Sequence, residues 1–160
     1  MRHDLLIVAT AIACAAMGGV FFTFSTFVMQ ALRRLPPAQG MAAMQSINVT
    51  AVTPIFMTAL FGTAAACLVV GVRALIDWRG SPSGLLIAGS LFYLIGAIVV
   101  TIAFNVPLNN ALAAGDPSSG EAVWLWMKYA RQWTAWNHVR TASGLIAAAL
   151  LLWTVISGGS

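Results

Sequence analysis

Four uninterrupted apolar stretches, each about as long as a bilayer is thick, leave this chain few ways to fold. Runs from about Leu5 to Met29, Val49 to Ile76, Gly84 to Val106 and Trp133 to Ile156 are predicted as helical spans. At a rise of 1.5 Å per residue, about 20 residues cross a hydrocarbon core of roughly 30 Å. In lipid the backbone groups must pair inside the segment, which makes such a run a helix. Composition agrees, since 60% of the 160 residues are hydrophobic, only 8% are charged, and mean hydropathy is +0.89. Soluble domains carry about a quarter charged residues, so a soluble fold is excluded. Four spans with short connections leave no room for a separate soluble domain. The expected architecture is one membrane domain, 1–160, an all-α up-down four-helix bundle with both termini on one side.

The details follow from local signals. Met1-Arg2-His3 resembles a basic leader and Ala11-Ile12-Ala13-Cys14 imitates a lipobox. The apolar run continues about fifteen residues past Cys14, however, which predicts an uncleaved first span. Arg33, Arg34, Pro36, Pro37 and Gly40 mark its end and a turn. A second helix is predicted to begin near Met41, follow the interface through Met44, Gln45 and Asn48, and cross the membrane with an early kink at Pro54. Asp77 to Ser83 forms a tight turn with an interfacial Trp78. Pro107 is expected to stop the third span, and a second short interfacial helix follows the 115–120 loop, before the fourth span. The tail Ser157-Gly158-Gly159-Ser160 is expected to fray.

The carboxylates are Asp4, Asp77, Asp116 and Glu121, all at the amino end or in connections. No span therefore carries an acid through the bilayer centre, which argues against a proton-coupled exporter and against a carboxylate-bridged metal centre. A net charge of +4 and a pI near 9.8 could suggest nucleic acid. The basic residues are single or paired, so membrane flanks explain them better and no nucleic-acid partner is expected. His3 and His138 fall at opposite membrane faces and cannot share one haem iron, although a single axial ligand is conceivable. Cys14 and Cys67 fall at similar depth, where a thiol pair or disulfide is possible and buried packing is the simpler reading. Met41 and Met44 lack the His or Cys neighbours of a copper(I) site. No Gly-rich phosphate loop or GxSxG elbow occurs. Neither a metal nor a cofactor is expected.

The remaining polar residues divide unevenly between the two membrane sides. The side of the termini holds Arg2, His3, Arg73, Asp77, Trp78 and Arg79. The other side holds Ser25, Gln30, Gln45, Asn48, Asn105, Asn109, Asn110, Tyr129, Asn137, His138, Arg140 and most of the tryptophans. An aromatic belt accounts for the Trp and Tyr residues, but a belt does not require five Asn, or an Arg entering a span. Helical phase places Trp126, Tyr129, Trp133, Asn137 and Arg140 within an arc of about 80°, with Trp136 at its edge and Lys128, Arg131 and His138 projecting elsewhere. A charge one to two turns inside a span is expensive when it faces lipid. The stripe is thus expected to line a pocket within the bundle. In the first span Gly18, Phe22, Ser25 and Met29 share a face, either as a packing seam or as part of that pocket, and Gly18-Gly19 permits close helix approach.

Such a pocket suits a planar lipophilic molecule entering from the bilayer. If it is catalytic, His138 is the default general base, because its ordinary pKa is nearest neutrality. Arg140, Asn109 and Asn137 could stabilise a developing oxyanion. His138 lies about 100° or more from the stripe, and a headgroup contact or helix cap is the other reading of it.

Four motifs carry a family likeness: Gly18-Gly19 through Phe24-Ser25, Met44-Gln45-Ser46-Ile47-Asn48, Asn105-Val106-Pro107-Leu108-Asn109-Asn110, and Trp133-x-x-Trp136-Asn137-His138-x-Arg140. Together they resemble the anthrone oxygenase family of small four-helix membrane proteins. The resemblance implies oxidation of an anthrone methylene to a carbonyl by molecular oxygen with no added cofactor. It directs attention to His138, Arg140 and Asn137 as catalytic candidates. Ser25, Gln45, Asn48, Asn105, Asn109, Asn110, Trp126, Tyr129, Trp133 and Trp136 become substrate-binding candidates. The expected partners are membrane lipid, a lipophilic aromatic and molecular oxygen. The competing class is a non-enzymatic membrane module that binds a lipid or quinone, or a subunit of a membrane complex. Arg33, Arg34, Lys128, Arg131 and Arg140 outnumber Arg2, Arg73 and Arg79, which nominally places the motif-rich face in the cytoplasm. Oligomeric state is left open.

Overall fold

The computed structural model describes residues 2–157, with side chains from residue 5 onward. The expected fraying at 158–160 and the His3 side chain lie outside the described residues. Among the described residues there are five helices: α1 (Leu5–Arg34), α2 (Pro37–Thr50), α3 (Pro54–Ile76), α4 (Ser81–Ala113) and α5 (Ala122–Ser157). All except α2 are long and apolar enough to cross a bilayer, and the chain is a multi-pass helical membrane protein. The central helix is α5, which packs along α1 and α4 and touches α2, while α3 packs on α1 and α4. Large apolar side chains such as Ile12, Phe27, Ile55, Leu68, Ile95 and Trp153 remain exposed around the outside. On a soluble protein so much apolar surface would drive association, whereas here it is the surface that lipid covers.

The prolines set the helix boundaries differently from expectation. Pro54 starts α3 instead of kinking a longer helix: Thr53 is extended and its Oγ1 accepts from the Phe56 amide at 3.2 Å. In the first turn a missing N–H leaves no bond unmade, and Thr is a good N-cap. Pro37 likewise opens α2, four residues ahead of Met41. Pro107 does not end α4, which continues to Ala113. The backbone just before it is wound as a π-helix over Thr101–Asn105. That wider turn opens the ladder where a proline ring would otherwise meet a carbonyl. Two further π-helical stretches occur, Phe24–Val28 in α1 and Phe92–Val99 in α4. The helical stretch expected before the fourth span is the start of α5 itself, because no Gly or Pro interrupts the chain from Ala122 to Ser143.

Small residues bring α1 and α5 together. A Cβ added to Gly144 would lie 3.0 Å from Cα of Gly18 and 3.3 Å from the Cys14 carbonyl oxygen, so backbone meets backbone. Gly19 has nothing within 4 Å of such an atom, which assigns the close approach to Gly18 alone. Nearby, Cys14 and Cys67 are buried free thiols with their Sγ atoms 3.5 Å apart, in contact but not bonded as a disulfide.

Polar contacts fix the connections. Gln45 donates from Nε2 to the carbonyls of Leu112 at 2.8 Å and Gly115 at 2.9 Å, satisfying the end of α4 from α2. Removing it with Gln45→Ala is expected to lower stability by about 1–2 kcal/mol, read as a fall in the thermal unfolding midpoint of the detergent-solubilised protein. In the following loop the Ser118 amide and hydroxyl both donate to Asp116 Oδ1, at 2.8 and 2.7 Å. These bonds hold the Asp116 carboxyl below its ordinary pKa.

Candidate functional site

The inward stripe of α5 is Trp126, Tyr129, Trp133, Asn137 and Arg140, all buried, while Lys128, Arg131 and His138 are exposed. Opposite the inner half of this stripe lies a cavity of about 240 Å³ to which all five helices contribute. Its apolar wall includes Phe21 and Phe24 from α1, Met44 and Ile47 from α2, and Phe56, Met57 and Leu60 from α3. Its polar groups come from Asn48, Thr101, Asn109, Trp133, Asn137 and Arg140. Val20, Val52, Phe61, Ile102 and Val106 line it too and are also exposed on the outer surface. The cavity therefore opens to the lipid-facing side of the bundle.

Arg140 is 7% exposed and, among the described residues, has no carboxylate beside it in the cavity. Its Nη1 donates to Thr101 Oγ1 at 3.2 Å and its Nη2 to Asn137 Oδ1. Two aromatic faces flank the guanidinium, with Cζ 4.5 Å from the Phe21 ring centroid and 5.0 Å from that of Trp133. Such stacking stabilises a desolvated cation by about 2 kcal/mol or more. Asn137 is in turn anchored, because its Nδ2 donates to the Phe21 carbonyl at 2.6 Å and to Ser25 Oγ at 2.7 Å. Ser25 Oγ also lies 3.3 Å from Thr141 Oγ1.

The π-helical stretches coincide with these contacts. Ser25 sits in the stretch of α1, while Thr101 and Asn105 begin and end the second stretch of α4. Asn105 is buried and donates to the Trp133 carbonyl at 3.3 Å. Altered winding of this kind re-aims side chains and is frequent at functional sites.

A second polar node stands at the other end of the cavity. Tyr129 Oη donates to Asn109 Oδ1 at 2.9 Å and accepts from Asn48 Nδ2 at 3.4 Å, tying α2, α4 and α5 together. Asn48 and Asn109 face the cavity and Tyr129 stands behind them.

Of the residues singled out in the sequence, Asn48, Asn109, Trp133, Asn137 and Arg140 line this cavity. Ser25, Asn105, Trp126 and Tyr129 are buried behind its wall, and Gln45 caps α4. Asn110 is exposed, and Trp136 is half-buried against Phe104 with ring centroids 3.7 Å apart. His138 does not join the others. One step of 100° from Asn137 turns it outward, where it is exposed and does not line this cavity. In α1 the inward residue is Phe21, which is buried, and not Phe22, which is 51% exposed. The series Cys14, Gly18, Phe21, Ser25 is the one that carries this phase. Thr101 was also missed, although it is the only Thr in the third span.

Fold and site together define a class: multi-pass helical bundles built around a lipid-facing cavity with aromatic walls and one buried guanidinium. Within it, the chain belongs to the anthrone oxygenase family, whose model matches residues 53–150, more than half of the chain. The protein is thus an oxygenase-like membrane protein. The matched stretch contains Thr101, Asn109, Trp133, Asn137 and Arg140, whereas Phe21, Ser25 and Asn48 precede it. No curated protein and no solved structure matches the chain.

Proposed function

We propose that the protein oxidises an activated methylene of a lipophilic, anthrone-type aromatic to a carbonyl, with molecular oxygen as the only co-reactant. The observation that carries this reading is Arg140, a buried cation with no carboxylate partner among the described residues, at the wall of a cavity open to lipid. At the centre of a span such a charge costs about 2.5–3.5 kcal/mol or more, and intramembrane charges generally serve a function. The cavity is smaller than the roughly 300–1,000 Å³ usual for drug-sized ligands, which suits a compact planar molecule. Phe21, Phe24, Phe56 and Trp133 supply the aromatic surface for it.

The reaction balances without a reductant. Loss of one methylene proton gives an anion whose charge is delocalised onto the ring ketone oxygen, and Arg140 stabilises that oxygen. Oxygen adds to the former methylene carbon, and the resulting peroxide takes up a proton. Elimination of water, removing the second C–H proton and breaking the O–O bond, leaves the new carbonyl. Overall, one methylene and one O₂ give one carbonyl and one water. Asn137 is a positioning residue that orients the guanidinium, with Ser25 and the Phe21 carbonyl holding it in turn.

The test is oxidation of anthrone to anthraquinone by the purified protein in detergent, followed by absorbance and by oxygen uptake. Equal uptake of oxygen and formation of product is expected, and no turnover above the protein-free rate would sink the assignment. Binding without turnover would instead favour the non-enzymatic membrane module. His138→Ala is expected to keep turnover within about twofold of the parent, as for a surface substitution. A large loss in that variant would return His138 to the site.

A further inference from the structure

Two of the donors on the cavity wall have no acceptor. Among the described residues, four buried polar atoms make no hydrogen bond: Nε of Arg140, Nε1 of Trp133, Oδ1 of Asn105 and Oγ of Ser90. Arg140 and Trp133 line the cavity, whereas Asn105 and Ser90 do not. Arg140 and Trp133 are 7% and 5% exposed, and the guanidinium carbon lies 5.0 Å from the Trp133 ring centroid. Buried donors are nearly always paired, so two neighbouring unpaired N–H groups on one wall mark where an acceptor arrives from outside the chain. The wall also lacks a proton acceptor of suitable strength. Among the described residues no Asp, Glu, His, Lys, Cys or Tyr lines the cavity, and a guanidinium only donates.

We infer that the cavity takes its ligand as an oxyanion, a phenolate or an enolate, whose oxygen accepts from Arg140 Nε–H and Trp133 Nε1–H. The ligand ionises as it binds, and its O–H proton goes to water, not to a side chain. This rests on the proposed oxidation at the same cavity and deepens it, naming the substrate class as weakly acidic hydroxyarenes and the enol tautomers of aryl ketones. For an anthrone-type ketone the tautomer has already moved the methylene proton to oxygen. Breaking that O–H bond leaves its electron pair on the oxygen and, by conjugation, on the carbon that meets O₂. The protein then supplies anion binding in place of general-base catalysis.

A probe with no activated methylene separates this from turnover. With 1-naphthol bound to the protein in lipid nanodiscs, naphtholate absorbance against pH reports the ionisation of the bound probe. A neighbouring cation lowers such a midpoint by about 1–3 pH units. The midpoint is expected at least one unit below that in protein-free discs, and the methyl ether of naphthol is expected to bind at least tenfold more weakly. Arg140→Gln should abolish the downward movement. Trp133→Phe, which keeps the cation and the aromatic ring, should reduce it and so covers the case in which Arg140→Gln does not fold. Failure of 1-naphthol to bind, an unchanged midpoint, or equal binding of the methyl ether overturns the inference. Ionised binding without anthrone turnover would remove the proposed oxidation and leave the oxyanion site. Turnover with an unchanged midpoint would do the reverse.

Discussion

Arg140→Ala is expected to lower anthrone turnover by about 10²–10³-fold while the bundle still folds. That range is the usual consequence of removing one donor from an oxyanion site. The variant loses the bonds to Thr101 and Asn137 and the stacking on Phe21 and Trp133, but it leaves no uncompensated charge behind. Helical content by circular dichroism should therefore stay near that of the parent. Arg140→Lys separates charge from shape. A lysine ammonium restores the positive charge without the planar fork that reaches Thr101 and Asn137 together, so intermediate turnover is expected. Parent-level turnover in Arg140→Ala would show that the reaction occurs elsewhere.

Gly144→Leu should have the largest structural effect. The added side chain would grow from a point 3.0 Å from Cα of Gly18, and neither backbone can give way without moving a helix. Overpacking of this kind costs about 1–3 kcal/mol and sometimes more. Because the bonds from Asn137 to Phe21 and Ser25 cross the same α1–α5 contact, activity and thermal midpoint should fall together. Gly19→Leu is the matched control, since its Cβ meets nothing within 4 Å. Equal thermal midpoints for the two variants would show that the helices are not held by this contact.

The sequence made the spans legible because hydropathy acts over whole segments and tolerates local error. The α5 stripe was legible for a related reason: five polar and aromatic residues kept one phase over four turns of an unbroken helix. What was not legible is where the helices depart from regular winding. Pro54 and Pro107 read as a kink and a stop, because a proline's effect depends on whether the preceding turn is free to open. Phe21 and Phe22 are equally apolar neighbours, and only the direction of the glycine contact and the π-helical turn that follows decide which one faces inward. Thr101 was hidden for a different reason. A lone threonine in a span ordinarily bonds back to its own helix, as this one does to the Ala97 carbonyl at 2.6 Å. Its second role, accepting from Arg140, comes from another helix. His138 was favoured by its chemistry and turned away by geometry, and a single residue's distance from Asn137 was enough.

The guanidinium of Arg140 has a meaning for assembly as well as for chemistry. A smooth apolar helix has many nearly equivalent rotations about its own axis when its neighbours are also apolar, because lipid and protein solvate it almost equally. One charge removes that degeneracy. Turning α5 by a third of a revolution would point Arg140 into hydrocarbon at a cost of several kcal/mol, and it would bring His138 or Arg131 into the bundle without partners. The residue that gives the cavity its chemistry thus also sets the angular position of the longest helix.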